Sequence, residues 1–391
     1  MFLAPISKAV TQRISISNRQ EPQPWFPIAA LLVLFLFLVL IPPSAYTQAQ
    51  PQSTPQFDDL ASRATAARDQ GNLPLAIDLY SQAAQLKPDW AEGWFYLGML
   101  QYSANSYSPA IDDFNHLLQL KPGAPPALAL RGLCEFETAD YDNSLRDLAE
   151  AVAKGAAHDP RNEQIIRYHL AQLLARAGSF QDAVTQYQFF ATHSIDDPDL
   201  LLGLGLAGMR NTTLPKDVPP EDQPLYRIAG HAGFVFLAGY SQEADVLFNQ
   251  LFTRYPNTPN LHFFYGTLIF PHDPELAVPQ FQAEVALAPS NPQAHAILAF
   301  TLMLVGRYAE AIPEARTTLA AIPEMEMAQL ALGRSLAETG DEKQATEILN
   351  HVLSLDPDSI EAHRGLSIVY SRTGRKEDAY RERMACLHLE K

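Results

Sequence analysis

The sequence predicts an all-α protein, a solenoid of antiparallel helix pairs, because one spacing recurs in several residue types. Glycine, alanine and proline each repeat at a step of 34 residues, at Gly306, Gly340, Gly374, Ala311, Ala345, Ala379, Pro289, Pro323 and Pro357. Glycine permits the turn between two helices, alanine lets them approach closely, and proline ends the second helix. A fixed period in three independent residue types indicates repeated units that stack to bury their apolar faces.

The period predicts about nine units along the chain. They begin near Phe57, Ala91, Pro125, Gln164, Leu225, Pro259, Pro292, Glu326 and Ile360. The period breaks over residues 199–224, where a lone helix at 199–211 precedes a proline-rich loop. We therefore predict a first stack of four repeats over 57–198, an insertion over 199–224, and a second stack of five repeats over 225–391.

The N-terminus carries an uncharged apolar run over residues 28–41, preceded by three basic residues and followed by two prolines. This pattern predicts a signal peptide or a signal anchor within residues 1–43, followed by a linker over 44–56. Fourteen helical residues span about 21 Å, which is short of the ~30 Å hydrocarbon core of a bilayer. Cleaved signal and retained anchor both stay open, and both predict that the repeats lie outside the cytoplasm.

The second unit, Ala91–Ala124, carries the most complete version of the pattern. Its defining residues are Trp94, Leu97, Gly98, Ala110, Phe114 and Pro122. This spacing resembles that of the tetratricopeptide repeat family, and the resemblance covers nearly the whole chain from Phe57 onward. The resemblance implies a right-handed superhelical solenoid in which the first helix of each pair lines a concave groove.

The same resemblance implies which residues contact a partner in that groove. They are Phe95, Met99, Tyr102, Phe136, Tyr168, Phe236, Phe263, Phe270, Phe300, Met303, Arg334 and Arg364. Such an aromatic and apolar groove would suit an extended or helical segment with exposed hydrophobic residues. The alternative is that many of these rings are buried between units.

Composition and motifs argue against several other functions. The net charge of −16 opposes nucleic-acid binding, and the two cysteines, Cys134 and Cys386, form neither a disulfide framework nor a zinc motif. The glycines of Gly203–Gly208 match GxGxxG, but they lie within a predicted helix, where small residues favour helix contacts over a cofactor. Three histidines share the repeat position of Trp94, where packing is a better interpretation than a metal site: His262, His295 and His363. We expect no enzyme activity, no cofactor and no metal.

The sequence thus predicts a non-enzymatic protein–protein interaction scaffold at the cell envelope, membrane-anchored or secreted, which binds a protein or peptide segment in the groove. The alternative is an accessory binding protein for a polysaccharide, a lipid or a secreted substrate. The last helix, from Lys376, is polar in sequence and is predicted to cap the open end of the solenoid.

Overall fold

The computed structural model describes residues 55–155 and 160–389, and within them the chain forms nineteen α-helices and one short 3-10 helix, with no β-strand. The predicted all-α class of stacked helix pairs is therefore confirmed. The predicted signal or anchor, and the linker as far as residue 54, lie outside the described residues. In the part of the chain that is described, no helix has the length and apolar character needed to cross a membrane.

The chain divides into two compact units, one ending at Pro122 and the other beginning at Gly123. The first unit contains four helices: α1 Pro55–Asp69, α2 Leu73–Leu86, α3 Ala91–Ser103 and α4 Tyr107–Leu120. They form two pairs, and their buried residues include Leu60, Ala64, Tyr80 and Phe114.

The second unit contains fifteen α-helices in the described residues. They are α5 Pro125–Glu137, α6 Tyr141–Ala153, α7 Pro160–Arg176, α8 Phe180–Thr192, α9 Pro198–Gly208, α10 Gln223–Leu237, α11 Ser241–Arg254, α12 Leu261–Ile269, α13 Pro274–Leu287, α14 Pro292–Leu304, α15 Tyr308–Ala321, α16 Glu326–Thr339, α17 Glu342–Leu355, α18 Ile360–Arg372 and α19 Lys376–Leu389. All except α9 form sequential pairs, so the two units together hold nine pairs in the described residues. The partition into stacks of four and five repeats remains a prediction.

Within a pair, a small residue on the first helix receives a large one from the second. A Cβ atom added to Gly98 would lie 2.8 Å from the ring of Phe114, and one added to Gly266 would lie 2.6 Å from the ring of Phe281. Both rings are fully buried. The repeated small residues are therefore required by close approach of the two helices, as the period predicted.

In eight of the nine described pairs, the turn between the two helices places one residue in the left-handed region. Glycine fills this position in most pairs, as at Gly71 and Gly178, with φ of 71° and 81°. The second and third pairs use Asn105 (φ 56°) and Ala139 (φ 62°) instead. A side chain in this region costs about 1–2 kcal/mol, which the surrounding packing offsets. The second and third pairs thus keep the left-handed turn although they lack the turn glycine.

The GxGxxG glycines lie on α9, where each permits a close helix contact: Gly203 with Tyr187 of α8, Gly205 with Tyr226 of α10 and Gly208 with Phe264 of α12. A Cβ at Gly205 would lie 1.9 Å from the backbone oxygen of Tyr226, and one at Gly230 would lie 1.8 Å from that of Leu201. Helices α9 and α10 therefore cross backbone to backbone. Helix α9 also packs against α8, so helix packing continues through the predicted insertion.

The proline-rich loop that follows α9 is folded onto that helix. It contains a 3-10 helix at Pro215–Asp217, and Leu214 and Val218 on either side are buried. Val218 packs with Leu202 and Leu206 of α9 in one hydrophobic cluster. The prolines therefore shape a packed connection between α9 and α10.

Candidate interaction surface

The twelve predicted groove residues lie on the first helices of their pairs or directly after them. We call the surface that these first helices present the groove face. Seven of the side chains are half-buried there: Phe95, Met99, Tyr102, Tyr168, Phe236, Phe270 and Phe300. Four are buried, namely Phe136, Phe263, Met303 and Arg334, while Arg364 is exposed.

The buried rings are held by contacts inside the fold. Phe136 packs edge-on against His169 with the ring centroids 4.7 Å apart, and its ring is only 6% exposed. Phe263 is 7% exposed, and the guanidinium of Arg210 lies 4.9 Å from its ring centroid. These side chains connect parts of the fold that are not successive in sequence and have little surface left for a partner.

In the first unit, the groove face is carried by α3. Phe95, Met99 and Tyr102 are spaced four and three residues apart, so they lie on one side of the helix. Phe95 meets Tyr96 edge-on at 5.6 Å, and Tyr102 lies 5.9 Å from Tyr107. All three predicted residues remain partly open to solvent.

In the second unit, Tyr168 borders a cleft of about 310 Å³ between α7, α8 and α9. The cleft is lined by Gln164, Ile165, Tyr168, His169, Phe190, Ile195, Asp197, Asp199 and Leu200. Its walls are mainly apolar, and two carboxylates stand at one side. Asp197 caps the start of α9 by accepting a hydrogen bond from the backbone N–H of Asp199 at 2.8 Å.

Burial favours the uncharged form of both titratable rings in this cleft. Burial, followed by the nearby charges of Asp199 and Asp197, raises the pKa of Tyr168 to about 12. Burial lowers the pKa of His169, although its hydrogen bond to the carbonyl oxygen of Ile165 acts in the opposite direction. The cleft therefore combines neutral rings with carboxylates, which suits an apolar side chain next to a cation.

Farther along the second unit, two predicted rings from neighbouring pairs meet on the groove face. Phe270 and Phe300 have their centroids 6.2 Å apart at an interplanar angle of 47°. The ring of Phe236 lies 6.0 Å from that of His272. The structure thus brings Phe270 and Phe300 together as one half-buried aromatic pair.

On α16 and α18 the groove face carries charged side chains instead of aromatic ones. Arg334 donates to Glu338 at 2.6 Å, and its Nε lies 3.6 Å from a carboxylate oxygen of Glu361. Arg364 pairs with the other oxygen of Glu361, and Arg372 lies 3.4 Å from the second oxygen of Glu338. Because Arg334 is only 8% exposed, its main effect is to join the two helices.

Sequence reasoning missed the apolar wall of the Tyr168 cleft. Ile165, Phe190, Ile195 and Leu200 come from three helices and a loop, and they share no spacing. Only Ile165 could have been found from the sequence, since it occupies the second position of its unit. In the structure it is 43% exposed. In the part of the chain that is described, no cluster of His, Cys, Asp and Glu side chains could hold a metal ion.

Family models of the tetratricopeptide repeat match two parts of the chain, residues 62–125 and residues 302–367. The first match covers most of the first unit, and the second runs from the end of α14 into α18. Both matched regions are helix pairs in the structure, with the spacing found in the sequence.

The chain is similar to several solved structures of low sequence identity. MamA 41-end from Desulfovibrio magneticus RS-1 is 20% identical and aligns over 42% of this chain and 94% of its own, with a TM-score of 0.38. The P58(IPK) TPR domain is 14% identical over 85% of this chain and 92% of its own, with a TM-score of 0.28. No curated protein matches the sequence.

Proposed function

Because this chain belongs to the tetratricopeptide repeat proteins, we propose that it is a non-enzymatic scaffold that holds a protein or peptide segment on its groove face. One observation carries the proposal: four rings in the second unit stay half-exposed on this face, namely Tyr168, Phe236, Phe270 and Phe300. Large rings that the core leaves in contact with solvent are the side chains that typically anchor a bound partner.

The cleft at Tyr168 supports a more specific partner. Its walls suit an apolar side chain, and Asp197 and Asp199 suit a neighbouring Lys or Arg. Arg227 already lies 2.9 Å from Asp199, so Asp197 is the carboxylate better able to attract a further cation. We therefore propose a bound segment in which a hydrophobic residue stands beside a basic one.

The proposal includes a location at the cell envelope, with the repeats outside the cytoplasm. Its support is the apolar run over residues 28–41 with basic residues ahead of it. A scaffold in this location would hold its partner near a membrane if the segment is retained. If the segment is cleaved, the partner would be bound by a secreted protein.

Site-specific photo-crosslinking in intact cells tests the binding site. The full-length chain would carry p-benzoylphenylalanine in place of Tyr168 or Phe300, because this aromatic residue resembles the one it replaces. The matched control replaces Tyr240, which is 64% exposed at the turn before α11. We expect a protein adduct from the two groove positions and none from the control. Phe263 is unsuitable for such a test because it is buried.

Other outcomes of this experiment would contradict the proposal. Equal adducts at Tyr240 and Phe300 would show that the groove face is not the binding surface. An adduct with a glycan or a lipid would favour the accessory-protein alternative. The same cells, permeabilised at the outer surface and treated with protease, should lose the repeats; full protection would contradict the envelope location.

A further inference from the structure

The outer face of the last helix is less polar than its sequence predicts. Tyr380, Met384 and Leu387 of α19 are 64%, 43% and 53% exposed. Spaced four and three residues apart, they lie within an arc of about 60° on the helix. Lys376 and Arg383 are exposed on the same side. The predicted polar cap therefore carries an apolar stripe flanked by two cations.

Comparison with the preceding pair shows what this face corresponds to. One repeat earlier, on α17, Tyr380 and Met384 are replaced by the polar Thr346 and Asn350. An end helix without a neighbour should be more polar than an inner one, but at these two positions α19 is less polar. Thr346 is half-buried in the stack whereas Asn350 stays exposed, so the reversal at Tyr380 is the one that fits a helix whose outer face is covered in the assembled protein.

The position of Arg383 identifies the kind of neighbour. Its counterpart on α17 is Leu349, which is fully buried and packs against α18 at Gly365. The α19 face is thus shaped to receive the first helix of a following pair, with a cation where the inner helix has leucine.

The outer face of the first helix, α1, has the complementary character. Asp59, Ser62, Ala66 and Asp69 are all exposed there. Ser62 and Ala66 occupy the repeat positions of Gly365 and Val369 on α18, which are buried in the stack. The acids make only local ion pairs at the surface, Asp59 with Arg63 at 3.2 Å and Asp69 with Arg68 at 2.9 Å. The α1 face is therefore small and acidic.

We propose that α19 of one copy of this chain docks on α1 of a second copy, head to tail, in the register by which α17 packs on α18. That register places Leu349 on Gly365, so it places Arg383 on Ser62 beside Asp59. The same antiparallel offset sets Lys376 opposite Asp69 and Tyr380 opposite Thr65, next to Ala66. Large apolar and basic side chains then meet small and acidic ones.

The overall charge favours this partner. Residues 360–389 contain six Lys and Arg against four Asp and Glu, whereas the whole chain carries −16. A basic end docking on an acidic face of an identical chain lowers the repulsion between copies. Such a contact joins two different surfaces, so it can repeat from copy to copy and form a ring or an open chain. It is separate from the groove face.

Cysteine crosslinking between copies tests the register. Two batches of the full-length protein in detergent micelles would carry Asp69→Cys and Lys376→Cys, respectively. The native Cys134 and Cys386 are both buried and do not interfere. On oxidation, we expect a crosslinked dimer when the two batches are mixed and none from either batch alone. The matched control mixes Asp69→Cys with Val246→Cys, which is 56% exposed on α11.

A charge-reversal pair gives a second measurement by sedimentation. Lys376→Glu with Arg383→Glu should weaken self-association at least tenfold, and mixing with Asp59→Lys, Asp69→Lys copies should restore it. Added salt should weaken the wild-type contact because both faces are exposed and charged.

Three results would overturn the proposal. They are a monomer at every concentration tested, equal crosslinking in the Val246→Cys control, or a dimer from Lys376→Cys alone, which would indicate a symmetric contact between two α19 helices. None of these results bears on whether the groove face binds its partner, since photo-crosslinking at Phe300 reports on that surface separately.

Discussion

At one repeated position, the first helix of four pairs is tied to the segment before it by a side chain whose identity differs from pair to pair. Trp94, His295, Gln329 and His363 each direct a side-chain N–H to the carbonyl oxygen of the proline six residues earlier, at 2.8–3.0 Å. What recurs at this position is a side-chain donor of suitable reach. The histidines at this position are therefore structural in the described fold.

In His295 and His363, the other ring nitrogen faces the second helix of the same pair. His295 Nδ1 lies 2.5 Å from a carboxylate oxygen of Glu314, and His363 Nδ1 lies 2.6 Å from one of Glu382. Each ring thus links the segment before the first helix to the second helix. A metal-binding interpretation of these residues has no support from this geometry.

Asp113 on α4 makes the stability of the first unit depend on pH. It is 7% exposed, and burial, with a smaller effect from Asp112, raises its pKa to about 7. A carboxyl whose pKa is raised by folding stabilises the fold most below its ordinary value of 3.8, and this contribution is lost as pH rises through about 7. Asp113→Asn should therefore increase the free energy of unfolding at pH 8 by about 1–2 kcal/mol and change it little at pH 4.

Urea unfolding of the wild type and the variant at both pH values measures this difference. The matched control is Asp112→Asn, at the exposed neighbour. It should leave most of the pH dependence in place, because burial is the larger cause of the shift. If Asp112→Asn removed as much of the pH dependence as Asp113→Asn, repulsion between the two acids would be the main cause instead.

At the scale of the elements, the α9–α10 crossing differs from the other helix contacts. In four pairs a glycine accommodates a side chain that can adjust, such as the ring of Phe114 at Gly98. At Gly205 and Gly230 the opposing atoms belong to backbone. A backbone atom can move only with its helix, so these glycines determine how closely α9 and α10 approach.

Gly205→Ala should destabilise the second unit by about 3 kcal/mol or more, because the added Cβ would lie 1.9 Å from the backbone oxygen of Tyr226. Gly178→Ala is the matched control: nothing lies within 4 Å of its added Cβ, and only its φ of 81° opposes the change. That control should cost about 1–2 kcal/mol. Thermal unfolding of both variants measures the costs, and equal losses would contradict a special backbone crossing.

At the scale of the whole molecule, helices contact mainly those that are close to them in sequence. Within the second unit, for example, α17 packs on α16 of its own pair and on α18 of the following pair. In such an array, stability is the sum of local units and the contacts between neighbours. A local defect should therefore stay local.

Phe114→Ala tests this behaviour in the first unit. The ring is fully buried, so its loss should cost about 3–5 kcal/mol. We expect faster hydrogen exchange in α1–α4 and no change in α16–α19, as measured by mass spectrometry of peptides. Leu349→Ala, at a fully buried position of α17, should reverse the pattern. Uniformly faster exchange in either variant would mean that the array unfolds as one cooperative block.

Sequence reasoning predicted the candidate site by position, and the structure sorted those positions by exposure. Phe263 and Phe270 both lie at groove positions of one unit, but Phe263 is buried and Phe270 is half-buried. One of the neighbours that cover Phe263 is Arg210, which reaches it from the residues after α9. No repeat rule includes that neighbour, because it belongs to the part of the chain where the period breaks.

The sequence by itself determined the helix pairs, their number and their turns, because these depend on a local period and on the conformational range of glycine, alanine and proline. It also located α9 and predicted that the GxGxxG glycines serve helix contact. Only the tertiary structure decided which groove side chains remain open, how a cleft forms at Tyr168, and that the outer face of α19 carries an apolar stripe. The exposure of a side chain depends on the volume and charge of neighbours from distant parts of the chain, and the repeat spacing does not predict these.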